Sequence, residues 1–324
     1  MATGAHTAGA DGRLATVMTD FLLDADERLS EQERALMTSM LAALIAGLTE
    51  ELALRLGAGP AITLTAEEVV EGLRRAGLLH RPKLIALLLR RAGLYRTREG
   101  AGNGGAPLLQ QFAGDNDPAV ASAAMAVVLA RTSGRDRFGR PGLSLSDCDA
   151  ETAVELTYAV AASINVDSEE ALVAAAVDLL ARHDEGERLE ALEARLVLAL
   201  EQAGRIEAAT LLSLAARGEV GILAEALARI ARIPPDAAWS LLLVRRDEHA
   251  LGQLLRLAEQ SRAVAAGLIA ALTATLGLAE PAAAIAAFDA MTPAQATAER
   301  ARLRLPSSFW AARTALEGHG QYRA

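Results

Sequence analysis

Stripes of Leu, Val and Ala recur at the pitch of an α-helix along almost the whole chain, and no alternation of period two lasts beyond four residues. Leu14, Val17, Met18, Phe21 and Leu22 share one helical face. Ser30 followed by Glu33 forms a capping box, so a long helix is predicted to begin at Ser30. It runs through Leu36, Met40, Leu44, Leu48 and Leu52 to Leu56, where Gly57, Gly59 and Pro60 stop it. Thr65 and Glu68 open a second helix through Val69, Val70 and Leu73, which Gly77 ends. Pro82 suits the first turn of a third, carrying Leu84, Leu87 and Leu88. Hydrophobic residues make up 52% of the chain but aromatics only 3%, so the core must be Ala, Leu, Val and Ile. The aromatic and β-branched runs of a sheet are scarce, which makes the expected fold class all-α.

The clearest break is Arg98–Pro107, with Gly100, Gly102, Gly104, Gly105 and one proline, and it reads as a loop or linker. Short helices are expected at Leu108–Phe112 and from Pro118 to Arg131, the second capped by Asp117. After a loop at Ser133–Gly142, helices are predicted at about 149–163, 168–183, 186–203, 205–216, 218–231, 235–243, 247–258, 261–276, 279–290, 293–303 and 307–317. Links of two to four residues make neighbours pack antiparallel, and a run of such pairs forms a stacked array. The expected organisation is a disordered tail over 1–12, an N-terminal helical region over 13–97, a Gly-rich loop over 98–107 and a helical-repeat array over 108–324.

The residues also suggest a family. Asp115–Arg131 (DNDPAVASAAMAVVLAR) resembles the Asp-Pro-capped second helix of HEAT-type repeats, and Asp149–Leu180 looks like another such pair. Leu211–Leu257 is similar to the C-terminal region of an alphaproteobacterial family of unknown function. In that pattern Arg217, Gly218, Glu219 and Val220 precede an Ala226–Arg229 helix, followed by Ile233 and Pro234. Leu29–Leu56 resembles the family's early helix. Where the family often carries a Gly-Gly pair, this chain has Arg246, Asp247 and Glu248. The resemblance implies a HEAT-like all-helical fold and brings no catalytic residues.

The net charge is −9, which repels phosphate backbones and anionic headgroups, so neither nucleic acid nor membrane insertion is expected. The uncharged stretches Ala35–Thr49 and Ala263–Ala279 span 15 and 17 residues, short of the ~20 a spanning helix needs. With one cysteine and no signal-peptide pattern over residues 1–12, a cytoplasmic location is expected.

Motifs that carry chemistry are not evident. Gly100, Gly102 and Gly105 match a dinucleotide fingerprint, yet no strand precedes them. His6, His80, His183, His249 and His319 lie too far apart in sequence to suggest a zinc site. Pro82 puts His80 before a helix start, unlike an exposed mid-helix phosphotransfer histidine. Cys148 lies between Asp147 and Asp149, which disfavours a thiolate, and His183 reads as a solvated helix end. The pairs Glu67/Glu68 and Glu169/Glu170 suit first helical turns. Trp239 reads as core; Trp310 fits a cap or an interface equally. No catalytic, cofactor-binding or metal residue is nominated, and no cofactor is expected. The expectation is a non-enzymatic interaction scaffold with an unidentified protein partner of basic or mixed surface, and self-association through the Ser30–Leu56 helix. The alternative is a ligand sensor or enzyme with a pocket between helices.

Overall fold

The computed structural model describes residues 29–57, 65–100, 105–135, 140–165, 168–244 and 248–306, with 309, 312, 313 and 316. The predicted tail, the Leu14–Leu22 face and Trp310 lie outside them. Fifteen α-helices are described: α1 Glu31–Arg55, α2 Ala66–Arg75, α3 Pro82–Gly100, α4 Gly105–Ala113, α5 Pro118–Ser133, α6 Ala150–Ser163, α7 Glu169–Leu180, α8 Leu189–Gln202, α9 Ala208–Ala216, α10 Val220–Ala231, α11 Pro235–Trp239, α12 Glu248–Leu257, α13 Arg262–Leu276, α14 Pro281–Ala290 and α15 Pro293–Leu303. Two 3₁₀ turns, Leu145–Asp147 and Glu185–Glu187, and a π turn, Ser240–Val244, join them. The described residues contain no β-strand; Arg135 and Pro141 form an isolated bridge. The chain is all-α.

Local chemistry sets the helix starts. Ser30 and Glu33, and likewise Thr65 and Glu68, close the two capping boxes read from the sequence. The Asp117 carboxylate accepts from the Ala119 amide, with Pro118 at the first helical position. α10 ends at Arg232, a left-handed residue (φ 56°) directly before Ile233 and Pro234. The Gly-rich stretch differs from its reading as a loop over 98–107. α3 continues to Gly100 and α4 begins at Gly105, while residues 101–104 lie outside the described set. The last turn of α3 carries a buried Thr97 whose hydroxyl donates to the Leu94 carbonyl, and Arg98 beside the Glu193 carboxylate, anchors that a freely exposed linker lacks.

Two apolar cores result, and they do not follow chain order. The first gathers Met40, Leu44, Ile45, Leu48 and Leu52 of α1 with Leu73 of α2, Leu84 and Leu88 of α3, Leu156 and Val160 of α6, and Leu172 and Leu179 of α7. The second begins with Leu94 on α3, takes in α4 and α5, then continues through α8 to α15. The α6–α7 hairpin therefore turns back onto α1 and α2, and α8 returns to pack on α5. α3 contributes to both cores. α1 is the one described helix long and apolar enough to cross a membrane. In this fold its Met40, Leu44, Ile45, Leu48 and Leu52 are buried in the first core, and α2, α3, α6 and α7 pack against it. Leu54, on the same helix, is exposed. In the second core α12 and α14 approach so closely that a Cβ on Gly252 would overlap the Ala284 carbonyl.

Candidate functional site

The residues singled out in the sequence do not converge. His80 is exposed just ahead of α3. Cys148 is fully buried, and its thiol is pushed up to about 12, first by burial and then by Asp147 and Asp149. His183 is not the solvated helix end that was expected. Both ring nitrogens are buried without a hydrogen bond. Trp239 packs in the second core with the Arg90 guanidinium 5.0 Å from its ring centroid. Among the described residues, no group of three or more His, Cys, Asp or Glu side chains is placed to hold a metal ion.

What the fold does assemble is a buried ionic cluster where the two cores meet. Arg91 and Arg98 come from α3, Arg131 from α5, Glu190 and Glu193 from α8, Glu219 from the residue before α10, and Asp147 from a 3₁₀ turn. Arg91 Nη2 donates to Asp147 Oδ1 at 2.9 Å and to Glu190 Oε2 at 3.1 Å, with only 9% of its side chain exposed. Arg131 Nη1 donates to Glu219 Oε1 at 3.0 Å, and Nη2 donates to Glu193 Oε1 at 2.8 Å and lies 2.7 Å from Glu219 Oε2. The Glu193 and Glu219 side chains are 3% and 1% exposed. Arg98 Nη2 stands 3.6 Å from Glu193 Oε1.

Electrostatics within the cluster are uneven. Burial opposes the Arg131 charge, but Glu219 and Glu193 outweigh it and hold its pKa above the usual arginine value. Burial, reinforced by Arg131, instead pushes Arg98 down to about 10, which leaves it cationic at neutral pH. Room for the Glu193 carboxylate exists because residue 221 is glycine, since a Cβ there would overlap it. Beside the cluster lies a cavity of about 70 Å³, walled in part by Arg91, Arg98, Arg131, Arg135, Tyr95 and Asp147.

A second feature is a half-open groove of about 310 Å³ along the seam of α5 and α8. Ala119, Ala123 and Ala126 form one wall and Leu192, Leu198 and Ala199 the other, with Ser122, Arg195 and Gln202 as its polar members. Alanines at the contact hold the groove open, because they fill little of the space between two helices. On α5, Met125 and Leu129 are exposed, Leu129 to 60%.

Sequence reading missed both features. The ionic cluster had a signal: Glu193 lies among Leu192, Leu196 and Val197 on an otherwise apolar face, and Arg131 is the one charged residue of α5. No protein-family model, curated protein or solved structure matches this chain.

Proposed function

We propose that this protein is a non-enzymatic adaptor, a HEAT-like stack of helix pairs that binds an amphipathic helix of a protein partner in the groove between α5 and α8. One observation carries the reading: an open, mostly apolar groove along α5, the helix that also exposes Met125 and Leu129. Helix-in-groove recognition uses such a trough, with apolar anchors at i, i+3, i+4 and i+7 seated in it. α5 spans 16 residues, about 24 Å, which accommodates four turns of a partner helix. The net charge of −9 favours a partner whose polar face is basic.

The test compares capture by the wild type with capture by Leu129→Glu, which puts a charge on the groove's lip and leaves the core untouched. Specific partners should be lost with the variant, and a photo-crosslinker placed at Met125 should join a helical, basic segment of the partner. Equal capture by both proteins would refute the groove as the site. Light scattering that shows a dimer in the wild type and a monomer in Leu129→Glu would make the chain its own partner and overturn the adaptor reading.

A further inference from the structure

We propose that the groove between α5 and α8 is filled, when no partner is bound, by the chain's own N-terminal segment Leu14–Leu22, an inhibitory strap that a partner helix must displace. This rests on the reading above that the groove accepts an amphipathic helix, and it adds the occupant.

The segment has the pattern of a groove ligand. Leu14, Val17, Met18, Phe21 and Leu22 stand at i, i+3, i+4, i+7 and i+8, the spacing with which a helix seats apolar anchors in a trough. Thr16, Thr19 and Asp20 fall on the opposite face. A helix this short is unstable alone in water, so its apolar stripe needs a surface to lie on.

Lengths agree. As a helix, Leu14–Leu22 rises ~12 Å. The groove walls run from Ala119 to Ala126 on α5 and from Leu192 to Gln202 on α8, ~10 and ~15 Å at the same rise. Arg131, late in α5, donates to Glu193, early in α8, so one end of the groove lies at Ala126 and Leu192.

The tether arrives at that end. Residues 1–28 lie outside the described set, and α1 starts at Glu31 behind its cap Ser30. Glu33, in the first turn, accepts from Arg96 at 2.6 Å. Two residues further along α3, Arg98 stands 3.6 Å from Glu193, the chain neighbour of groove residue Leu192. Ser30 is thus two ion pairs away from the Leu192 end. The eight residues from Leu22 to Ser30 reach up to ~28 Å when extended. Phe21 and Leu22 would sit by Ala126 and Leu192, with Leu14 toward Ala119 and Gln202.

Charge makes the strap displaceable. Residues 13–28 hold Arg13 and Arg28 against Asp20, Asp24, Asp26 and Glu27, an acidic excess on a chain of net charge −9. A partner helix with a basic polar face binds the same trough without that repulsion. Being tethered compensates the strap, because a short linker holds it at an effective concentration on the order of 1 mM.

The experiment places a photoactivatable benzoylphenylalanine at Ser122, an exposed groove residue, in the full 324-residue chain, and maps the adducts by mass spectrometry. Adducts of monomer mass joining position 122 to residues 14–22 are expected. Phe21→Glu and Val17→Glu should each reduce them at least about tenfold, because a carboxylate cannot be buried in an apolar trough. A fluorescent synthetic peptide of residues 12–24 should bind the Phe21→Glu chain about tenfold more tightly than the wild type, the shift expected for a strap of Kd about 0.1 mM at that effective concentration. No adduct to residues 14–22, adducts to residues 305–316 or to a second copy instead, adducts unchanged in both variants, or equal peptide affinity would each overturn the strap. Loss of partners in Leu129→Glu without an N-terminal adduct would sink the strap and leave the adaptor reading standing. An N-terminal adduct with partner capture indifferent to Leu129→Glu would support the strap and sink the adaptor reading.

Discussion

Arg131 is the residue whose removal should expose the logic of the fold most directly. Arg131→Met keeps much of the side-chain volume but strands two carboxylates, Glu193 and Glu219, that are almost wholly buried. Two charge-assisted hydrogen bonds are lost, each ~1.5–3 kcal/mol. Breaking a buried ion pair by deleting one partner costs ~3–5 kcal/mol by a separate route. Arg98, 3.6 Å from Glu193, compensates part of the loss, and no cation but Arg131 stands within 4 Å of Glu219 among the described residues. We therefore expect a loss of ~3–4 kcal/mol, a large share of the ~5–15 kcal/mol typical of a folded domain. A chain of 324 residues unfolds in urea with a slope above ~3 kcal/mol per M, so the midpoint should fall by about 1 M. Arg131→Met combined with Glu219→Gln should recover much of that, because Glu193 keeps Arg98 at 3.6 Å and Glu219 is no longer a buried charge without a partner. A midpoint shift below about 0.3 M for Arg131→Met, or a double variant no more stable than the single one, would refute the reasoning.

Four further outcomes follow from close packing and one buried thiol. Gly221→Ala drives a methyl into the Glu193 carboxylate that Arg131 holds in place, and it should cost ~1–3 kcal/mol by urea unfolding, an effect that shrinks when Glu193 is also replaced by Ser. Gly252→Ala meets backbone rather than a side chain, the Ala284 carbonyl, so α12 and α14 must separate; a loss of at least ~3 kcal/mol is expected. Cys148 titrates at about 12 when folded against 9.0 when free. Above pH 9 the unfolded chain releases the proton first, so stability should fall by ~1.4 kcal/mol per pH unit relative to Cys148→Ala. The same burial predicts that a thiol reagent at pH 8 labels Cys148 only after denaturation.

How much of this was legible beforehand can be followed residue by residue. Helix starts were readable because capping is local: Ser30 with Glu33, Thr65 with Glu68 and Asp117 with Pro118 each settle an end within four residues. Glycine was a poorer guide. Gly100 and Gly105 looked like linker residues, yet both lie in helices, and the neighbouring Arg98 finds its carboxylate on α8, a contact no local pattern contains. The partition of the cores was also hidden. Local spacing shows which face of α6 and α7 is apolar, but not that the pair turns back onto α1 while α8 continues from α5.

The ionic cluster was missed for a related reason. Each charge, taken alone, reads as solvated: Arg91 and Arg98 sit in an Arg-rich helix, and Glu219 looks like an ordinary residue before a helix start. Their meaning comes from position. α3 leaves the first core at Ala92 and enters the second at Leu94, so Arg91 stands at the junction and Arg98 two turns further on. From the same helix Arg90 reaches Asp236 and Arg96 reaches Glu33, so this one helix binds α1, α8 and α11 by charge as well as by packing.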